Sequence, residues 1–164
     1  MNIIRVGFGY DVHTFAENRE LWLGGIHIEY ALGLLGHSDA DVLIHALCDA
    51  LLGAANLRDI GHHFPDTSDN FKNIDSKILL SETMSLIRTK GYEFGNVDCT
   101  LCAEEPKLSP YIPDMQKCLS SVMKVDVDAI SIKATTSEKM GFVGRKEGIA
   151  AYATVLIYKN SEHI

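Results

Sequence analysis

Residues 37–56 read His37-Ser38-Asp39-Ala40-Asp41-Val42-Leu43-Ile44-His45-Ala46-Leu47-Cys48-Asp49-Ala50-Leu51-Leu52-Gly53-Ala54-Ala55-Asn56. From Val42 to Leu52 almost every residue is apolar, so a helix here must be largely buried. Ser38 is a candidate N-cap, with Asp39 and Asp41 in the first turn favouring the positive helix end. Asp41 and Asp49 stand four residues before and after His45, close to its face. Unpaired buried charge is costly, so such a set needs a reason. A metal supplies one: His45 ligates, and either Asp41 or Asp49 orients its ring from behind. The run Ile3 to Val12 reads as a strand, in which Asp11 and His13, at i and i+2, share a face. Two imidazoles and one carboxylate make three ligands and leave a fourth position for substrate, the arrangement of a working zinc site.

The bulk properties bound the rest. The chain has 164 residues, enough for one domain, and 46% hydrophobic content supports a proper core. The formal charge of −7 comes without a basic stripe, which excludes a non-specific nucleic-acid binder. No apolar run approaches the length of a membrane span, and residues 1–5 lack the features of a signal peptide. A cytoplasmic protein is expected. Cys99 and Cys102 resemble a CxxC pair, but in an alternating strand positions i and i+3 face opposite sides, so both read as small hydrophobes. Cys48, three residues from His45, reads as core.

Further along, Glu20–Ile28 is expected to be one strand with a bulge at Gly24-Gly25, and Gly33–Gly36 a turn. Leu57–Ile74 is polar, lacks periodicity and reads as a long binding loop. A second helix starts near Asp75 or Ser76 and ends at Gly91, a suitable C′ residue. Gly95–Glu104 alternates as a strand, Pro110–Lys124 reads as a helix, Ala129–Thr135 as a strand, then a Gly-rich connection around Gly141 and Gly144, then a strand from Ile149 to Tyr158. The class is α+β, with one mixed sheet covered by helices mainly on one face.

Lys133-Ala134-Thr135-Thr136-Ser137-Glu138-Lys139 follows a strand. Its hydroxyls and backbone N–H groups suit phosphate oxygens, and Glu138 suits a hard cation such as Mg²⁺; an ordinary strand-end turn has the same composition. Pro106-Lys107 offers a rigid turn and a cation. The segment Gly141–Gly148 has no phosphate-loop pattern, and His62-His63 is left out of the metal site.

Taken in order, Asp11-Val12-His13, His37-Ser38-Asp39-Ala40-Asp41, His45 to Ala54, Asp59-Ile60-Gly61, Phe64-Pro65-Asp66-Thr67, Pro106-Lys107, Lys133-Ala134-Thr135-Thr136 and Gly148-Ile149-Ala150 closely resemble the 2-C-methyl-D-erythritol 2,4-cyclodiphosphate synthase family. The likeness runs from about Arg5 to Tyr158. It implies that 4-diphosphocytidyl-2-C-methyl-D-erythritol 2-phosphate cyclises with release of CMP, in the non-mevalonate isoprenoid pathway. Asp11, His13 and His45 match the family's zinc ligands, and Glu138 matches the residue that holds Mg²⁺ or Mn²⁺ against the phosphates. Thr136 and Lys107 match contacts to the diphosphate, flanked by Thr135 and Ser137. The cytidine pocket falls on Ala103, Pro106, Lys107, Leu108 and Ser109. The methylerythritol phosphate falls near His37, Ser38, Asp59, Gly61 and the loop Phe64, Pro65, Asp66, Thr67, Ser68. The resemblance also implies a homotrimer with sites between subunits. Phe142, Arg145 and Glu147 would then lie at one end of a central cavity that accepts an isoprenoid diphosphate. Three departures stand out: Ser137 replaces a frequent Thr, Glu104-Glu105 brings two carboxylates beside the cytidine pocket, and Leu108-Ser109 replaces a more apolar pair. Two rival readings share the triad, a zinc hydrolase using water and a non-enzymatic metal- or isoprenoid-diphosphate-binding trimer.

Overall fold

A computed structural model describes residues 3–65 and 74–159. Among these, the elements in chain order are β1 (Ile3–Ala16), β2 (Leu21–Leu23), β3 (Ile26–Ile28), β4 (Gly33–Leu34), α1 (Val42–Ala54), α2 (Ile60–His63), α3 (Ser76–Thr89), β5 (Glu93–Cys102), α4 (Ile112–Met123), β6 (Ile130–Thr135), α5 (Gly141–Gly144) and β7 (Gly148–Lys159). Five strands form one mixed sheet in the order β4-β1-β7-β5-β6. Only β5 and β6 run parallel, as the crossover through α4 requires; β1–β7, β5–β7 and β1–β4 are antiparallel.

The helices cover one face of this sheet. α1 lies directly on β1 because two strand residues have no side chain there. A Cβ built on Gly9 would stand 1.9 Å from the carbonyl oxygen of Ala46, and one on Gly7 1.9 Å from that of Ala50. The approach brings the α1 backbone down to the sheet, so a ligand at position 45 reaches strand residues 11 and 13. Leu43, Ile44, Leu47 and Leu51 are fully buried in the same core as Leu80, Val97, Leu101 and Ile157.

The opposite face is a different surface. Alternation on β1 turns Ile4, Val6, Phe8, Tyr10 and Val12 outward, with Val6 65% and Phe8 63% exposed. Tyr152 of β7 stacks beside Phe8 and Tyr10, at ring-centroid distances of 6.3 and 5.1 Å. An apolar stripe this long is the mark of an interaction surface.

Five local expectations change. Gly33–Gly36, expected as a turn, begins with strand β4, whose Gly33 and Leu34 pair with Ala16 and Phe15 of β1. Glu20–Ile28 is a hairpin, β2 and β3, rather than one bulged strand: Gly24 and Gly25 take φ of +60° and +78° and form the two-residue turn that glycine favours. The N-cap of α1 is Asp41, not Ser38. Fully buried, its carboxylate accepts the N–H groups of Gly24 (3.0 Å), Gly25 (2.7 Å) and Ile44 (3.1 Å), tying the hairpin turn to the helix start. Burial and the charge of Asp39 push this carboxyl up, against those three N–H groups. The stretch from Leu57 contains the short helix α2, begun by Asp59, whose carboxylate accepts the His62 N–H at 2.9 Å. The Gly-rich connection contains α5. Other elements follow the sequence pattern: Asp75 caps α3, Gly91 follows it at φ +81°, and a 3-10 turn at Ser109–Tyr111 leads into α4. Cys99 is buried and Cys102 half-buried on alternate sides of β5, and all four cysteines are unpaired. Burial pushes the Cys48 and Cys99 thiols up to about 12, which makes them inert packing groups.

Candidate active site and metal centre

Asp11 and His13 project from β1 toward α1, and His45 projects back from the second turn of the helix. His13 Nε2 and His45 Nδ1 each lie 3.0 Å from Asp11 Oδ2 and 3.3 Å from each other. The tautomers follow from the far side of each ring. His13 Nδ1–H donates to the Leu35 carbonyl oxygen at 2.8 Å, which leaves the Nε2 lone pair facing inward. His45 Nε2 lies 3.0 Å from Ser76 Oγ and 3.2 Å from Ser38 Oγ. Ser76 spends its hydroxyl proton on Asp39 Oδ1, so its oxygen accepts from His45 Nε2–H. The Nδ1 lone pair therefore also faces inward.

Two nitrogen lone pairs and a carboxylate at these distances repel one another unless positive charge sits among them. A tetrahedral ion with bonds of about 2.0–2.1 Å holds its ligand atoms about 3.3 Å apart, close to the observed triangle. The donor set therefore fits a divalent metal with one open position. When the two rings are protonated instead, they donate to Asp11: burial pushes its carboxyl up, but hydrogen bonds and charge from His13 and His45 outweigh it and hold it at about 2. Burial lowers the His13 imidazole, and Asp11 more than reverses that. Among the described residues this is the metal-capable cluster; His62 and His63 are not part of it.

The triad opens into a cavity of about 200 Å³ whose wall also holds His37, Ser38, Gly61 and Phe64. Asp59 is outside that wall, at the α2 cap, and Pro65 ends the described segment. Asp66, Thr67 and Ser68 lie outside the described residues. Neither Asp41 nor Asp49 backs His45, contrary to expectation. Asp41 is spent on the hairpin turn, and Asp49 accepts the Ile60 N–H at 2.8 Å, docking α2 against α1.

A second cavity, of about 400 Å³, lies at the ends of β5 and β6. Ala103, Glu104, Pro106, Lys107, Leu108, Ser109, Ala134, Thr135 and Thr136 line it. The Glu105-Pro106 peptide is cis, and Lys107 and Ser109 are exposed at its rim. Beside it, the Thr136 hydroxyl accepts the Glu138 N–H at 3.3 Å and donates to the Glu138 carboxylate at 3.2 Å. The expected amide cradle of this turn is not open: the Ser137 and Lys139 N–H groups both donate to Glu104 Oε1, at 3.0 and 3.1 Å. Phe142 is exposed, and Arg145 Nε pairs with Glu147 Oε1 at 2.7 Å.

Residues 4–158 match one family, described as the YgbB family. The chain belongs to it. A Phocaeicola vulgatus 2-C-methyl-D-erythritol 2,4-cyclodiphosphate synthase is 70% identical over 95% of this chain and 98% of its own length. Among solved structures, the bifunctional IspDF of Campylobacter jejuni superposes with a TM-score of 0.94 at 44% identity, covering 98% of this chain and 43% of that one. The Plasmodium falciparum IspF, solved as a CDP complex, has a TM-score of 0.84 at 38% identity and covers 96% of this chain and 97% of its own.

Two groups in this YgbB-family chain escaped the sequence reading. Ser76 is fully buried and reaches His45 from α3, 31 positions away, a pairing no local pattern announces. Its position next to the Asp75 cap was the only hint. Ser76→Ala is expected to weaken divalent-metal binding about tenfold, the low end for a group behind a ligand, because Ser38 still faces Nε2. Competition with a metal chelator measures this; unchanged affinity would remove Ser76 from the support of the site. The second is Glu104, which the sequence marks only as a charge beside the cytidine pocket and whose amide partners at Ser137 and Lys139 it does not show.

Proposed function

We infer that the chain converts 4-diphosphocytidyl-2-C-methyl-D-erythritol 2-phosphate to 2-C-methyl-D-erythritol 2,4-cyclodiphosphate and CMP, a phosphorus-oxygen lyase step of the non-mevalonate isoprenoid pathway. The observation that carries this is the inward-facing Asp11, His13, His45 donor set, in a chain 70% identical to an enzyme of that name. A 2-phosphate oxygen of the substrate attacks the β-phosphorus. The bond from that phosphorus to the oxygen bridging it to the α-phosphate breaks, and CMP leaves with the bridging oxygen. An anionic phosphate is already a nucleophile, so no protein nucleophile is needed. The barrier is the approach of two anions, which positioned charge and hydrogen bonds lower.

Each residue then has a task. Asp11, His13 and His45 hold Zn²⁺. Glu138 holds Mg²⁺ or Mn²⁺. The two ions, when bound, neutralise phosphate charge and polarise phosphoryl oxygens. Lys107 and Thr136 donate to the diphosphate, with Thr135 and Ser137 beside them. Ala103, Pro106, Leu108 and Ser109 enclose the cytosine. His37, Ser38, Asp59, Gly61 and the Phe64, Pro65, Asp66, Thr67, Ser68 loop hold the methylerythritol phosphate.

β6 is an edge strand of the described sheet, open to a second copy, and the outward face of β1 is apolar. We therefore propose a homotrimer of single-domain chains, residues 1–164, assembled on the apolar stripe of β1 and β7. We assign Phe142, Arg145 and Glu147 to one end of the trimer's central cavity, where an apolar ring and a guanidinium paired with Glu147 would meet an isoprenoid diphosphate. We place the enzyme in the cytoplasm, where four unpaired cysteines stay reduced; no described helix is long and apolar enough to cross a membrane.

The test is nucleotide chromatography after incubation with the substrate: CMP is expected only when divalent metal is present. Glu138→Ala is expected to keep its zinc while the rate loses its response to added Mg²⁺ and falls about a hundredfold or more. Full Mg²⁺-dependent turnover in that variant would remove Glu138 from the role.

A further inference from the structure

We infer that Glu104 is a positioning residue: its carboxylate fixes the turn that presents Thr136 and Glu138 to the diphosphate. This rests on the function proposed above. A single oxygen, Oε1, accepts the N–H of Ser137 at 3.0 Å, the N–H of Lys139 at 3.1 Å and the hydroxyl of Ser137 at 3.4 Å. The turn needs such a partner. Glu138 and Lys139, neither of them glycine, take left-handed φ of +54° and +63°, and such conformations persist only where the surroundings impose them.

Backbone N–H groups that converge in this way form an anion-binding nest. Here the chain supplies the anion itself. Ala103 N–H donates to the Thr135 carbonyl oxygen at 3.0 Å, continuing the β5–β6 pairing by one step and setting Glu104 against the turn. With the nest filled, two of the turn's amides are withdrawn from substrate. The Thr136 hydroxyl, the Glu138 carboxylate and Lys107 remain beside the cavity. Glu105 points elsewhere, taking Lys146 Nζ at 2.6 Å and the Tyr30 hydroxyl at 3.4 Å. The two adjacent carboxylates thus load no unpaired charge onto the cytidine pocket.

Glu104→Ala and Glu104→Gln separate this role from others, because glutamine keeps a carbonyl oxygen that accepts the same bonds. In Glu104→Ala the Ser137 and Lys139 amides are expected to exchange hydrogen faster, and kcat to fall about 10- to 100-fold, as for a misplaced reacting group. The half-saturating Mg²⁺ concentration should rise about tenfold, while KM stays within about threefold. Glu104→Gln should stay within about threefold of wild type in each respect. CDP without Mg²⁺ should bind Glu104→Ala as it binds wild type. Normal kcat and Mg²⁺ response in Glu104→Ala would overturn the inference, as would a glutamine variant equally impaired. Tighter CDP binding by Glu104→Ala would mark Glu104 instead as an anion competing with substrate. Should the alanine variant fail to fold, Glu104→Asp, charged but a methylene too short, takes the same readouts and expectations. If wild type releases no CMP, the proposed reaction fails, while amide exchange in these variants still tests the brace.

Discussion

His45→Ala is expected to yield a folded protein that no longer retains zinc and turns over substrate at least about a thousandfold more slowly, since a metal's charge stabilisation is worth several kcal/mol. The fold survives for a specific reason. Ser76 keeps Asp39 as partner through both its hydroxyl and its N–H, so removing the imidazole orphans little. The cost to stability is about 1–2 kcal/mol for lost hydrogen bonds and packing. Function suffers far more, because Asp11 and His13 alone supply two ligands from one strand and no third donor stands across from them among the described residues. Metal content by atomic emission, with a melting curve as control, measures both parts. A variant that keeps stoichiometric zinc and normal turnover would remove His45 from the centre.

The second large effect is on the fold. Gly9→Ala is expected to destabilise the protein by about 3 kcal/mol or more, the range of severe overpacking. The added Cβ meets the Ala46 carbonyl oxygen at 1.9 Å and the Ala50 nitrogen at 2.8 Å, both backbone atoms of α1. No rotamer relieves this; the helix must lift from β1, carrying His45 away from Asp11 and His13. Zinc affinity should therefore fall together with stability. Gly53→Ala is the control: a Cβ there meets nothing within 4 Å, and alanine in a helix gains up to about 1 kcal/mol over glycine. Denaturant melts of the two variants should move in opposite directions. A Gly9→Ala protein as stable as wild type would contradict the close approach of α1 and β1.

The convergence of Asp11, His13 and His45 was legible because its signal is local. Two-residue spacing on a strand fixes Asp11 and His13 to one face, and an apolar helix with one histidine points that histidine at the sheet. What supports the centre was not legible. Asp41 and Asp49 stood at the right helical spacing to back His45, yet backbone N–H groups from the hairpin turn and from α2 claim them. Ser76 and the Leu35 carbonyl, which do set the two tautomers, come from segments distant in sequence. Glu104 shows the same limit. Composition marks it as a charge beside a nucleotide pocket, and only the parallel pairing of β5 with β6 reveals the amides it serves. Gly24-Gly25 was recognised as a departure from regular strand, but a bulge and a tight turn share that composition, and the positive φ at both positions decides for the turn.

The central claim is cyclisation by a metal-dependent enzyme, and phosphorus NMR of the purified chain with 4-diphosphocytidyl-2-C-methyl-D-erythritol 2-phosphate, with and without Mg²⁺, tests it most directly. The expected spectrum gains CMP together with a cyclic diphosphate, and only when the divalent ion is present. CMP accompanied by a linear, hydrolysed product would contradict the claim and point to water as the nucleophile. An unchanged substrate spectrum from zinc-loaded protein with Mg²⁺ present would contradict it as well.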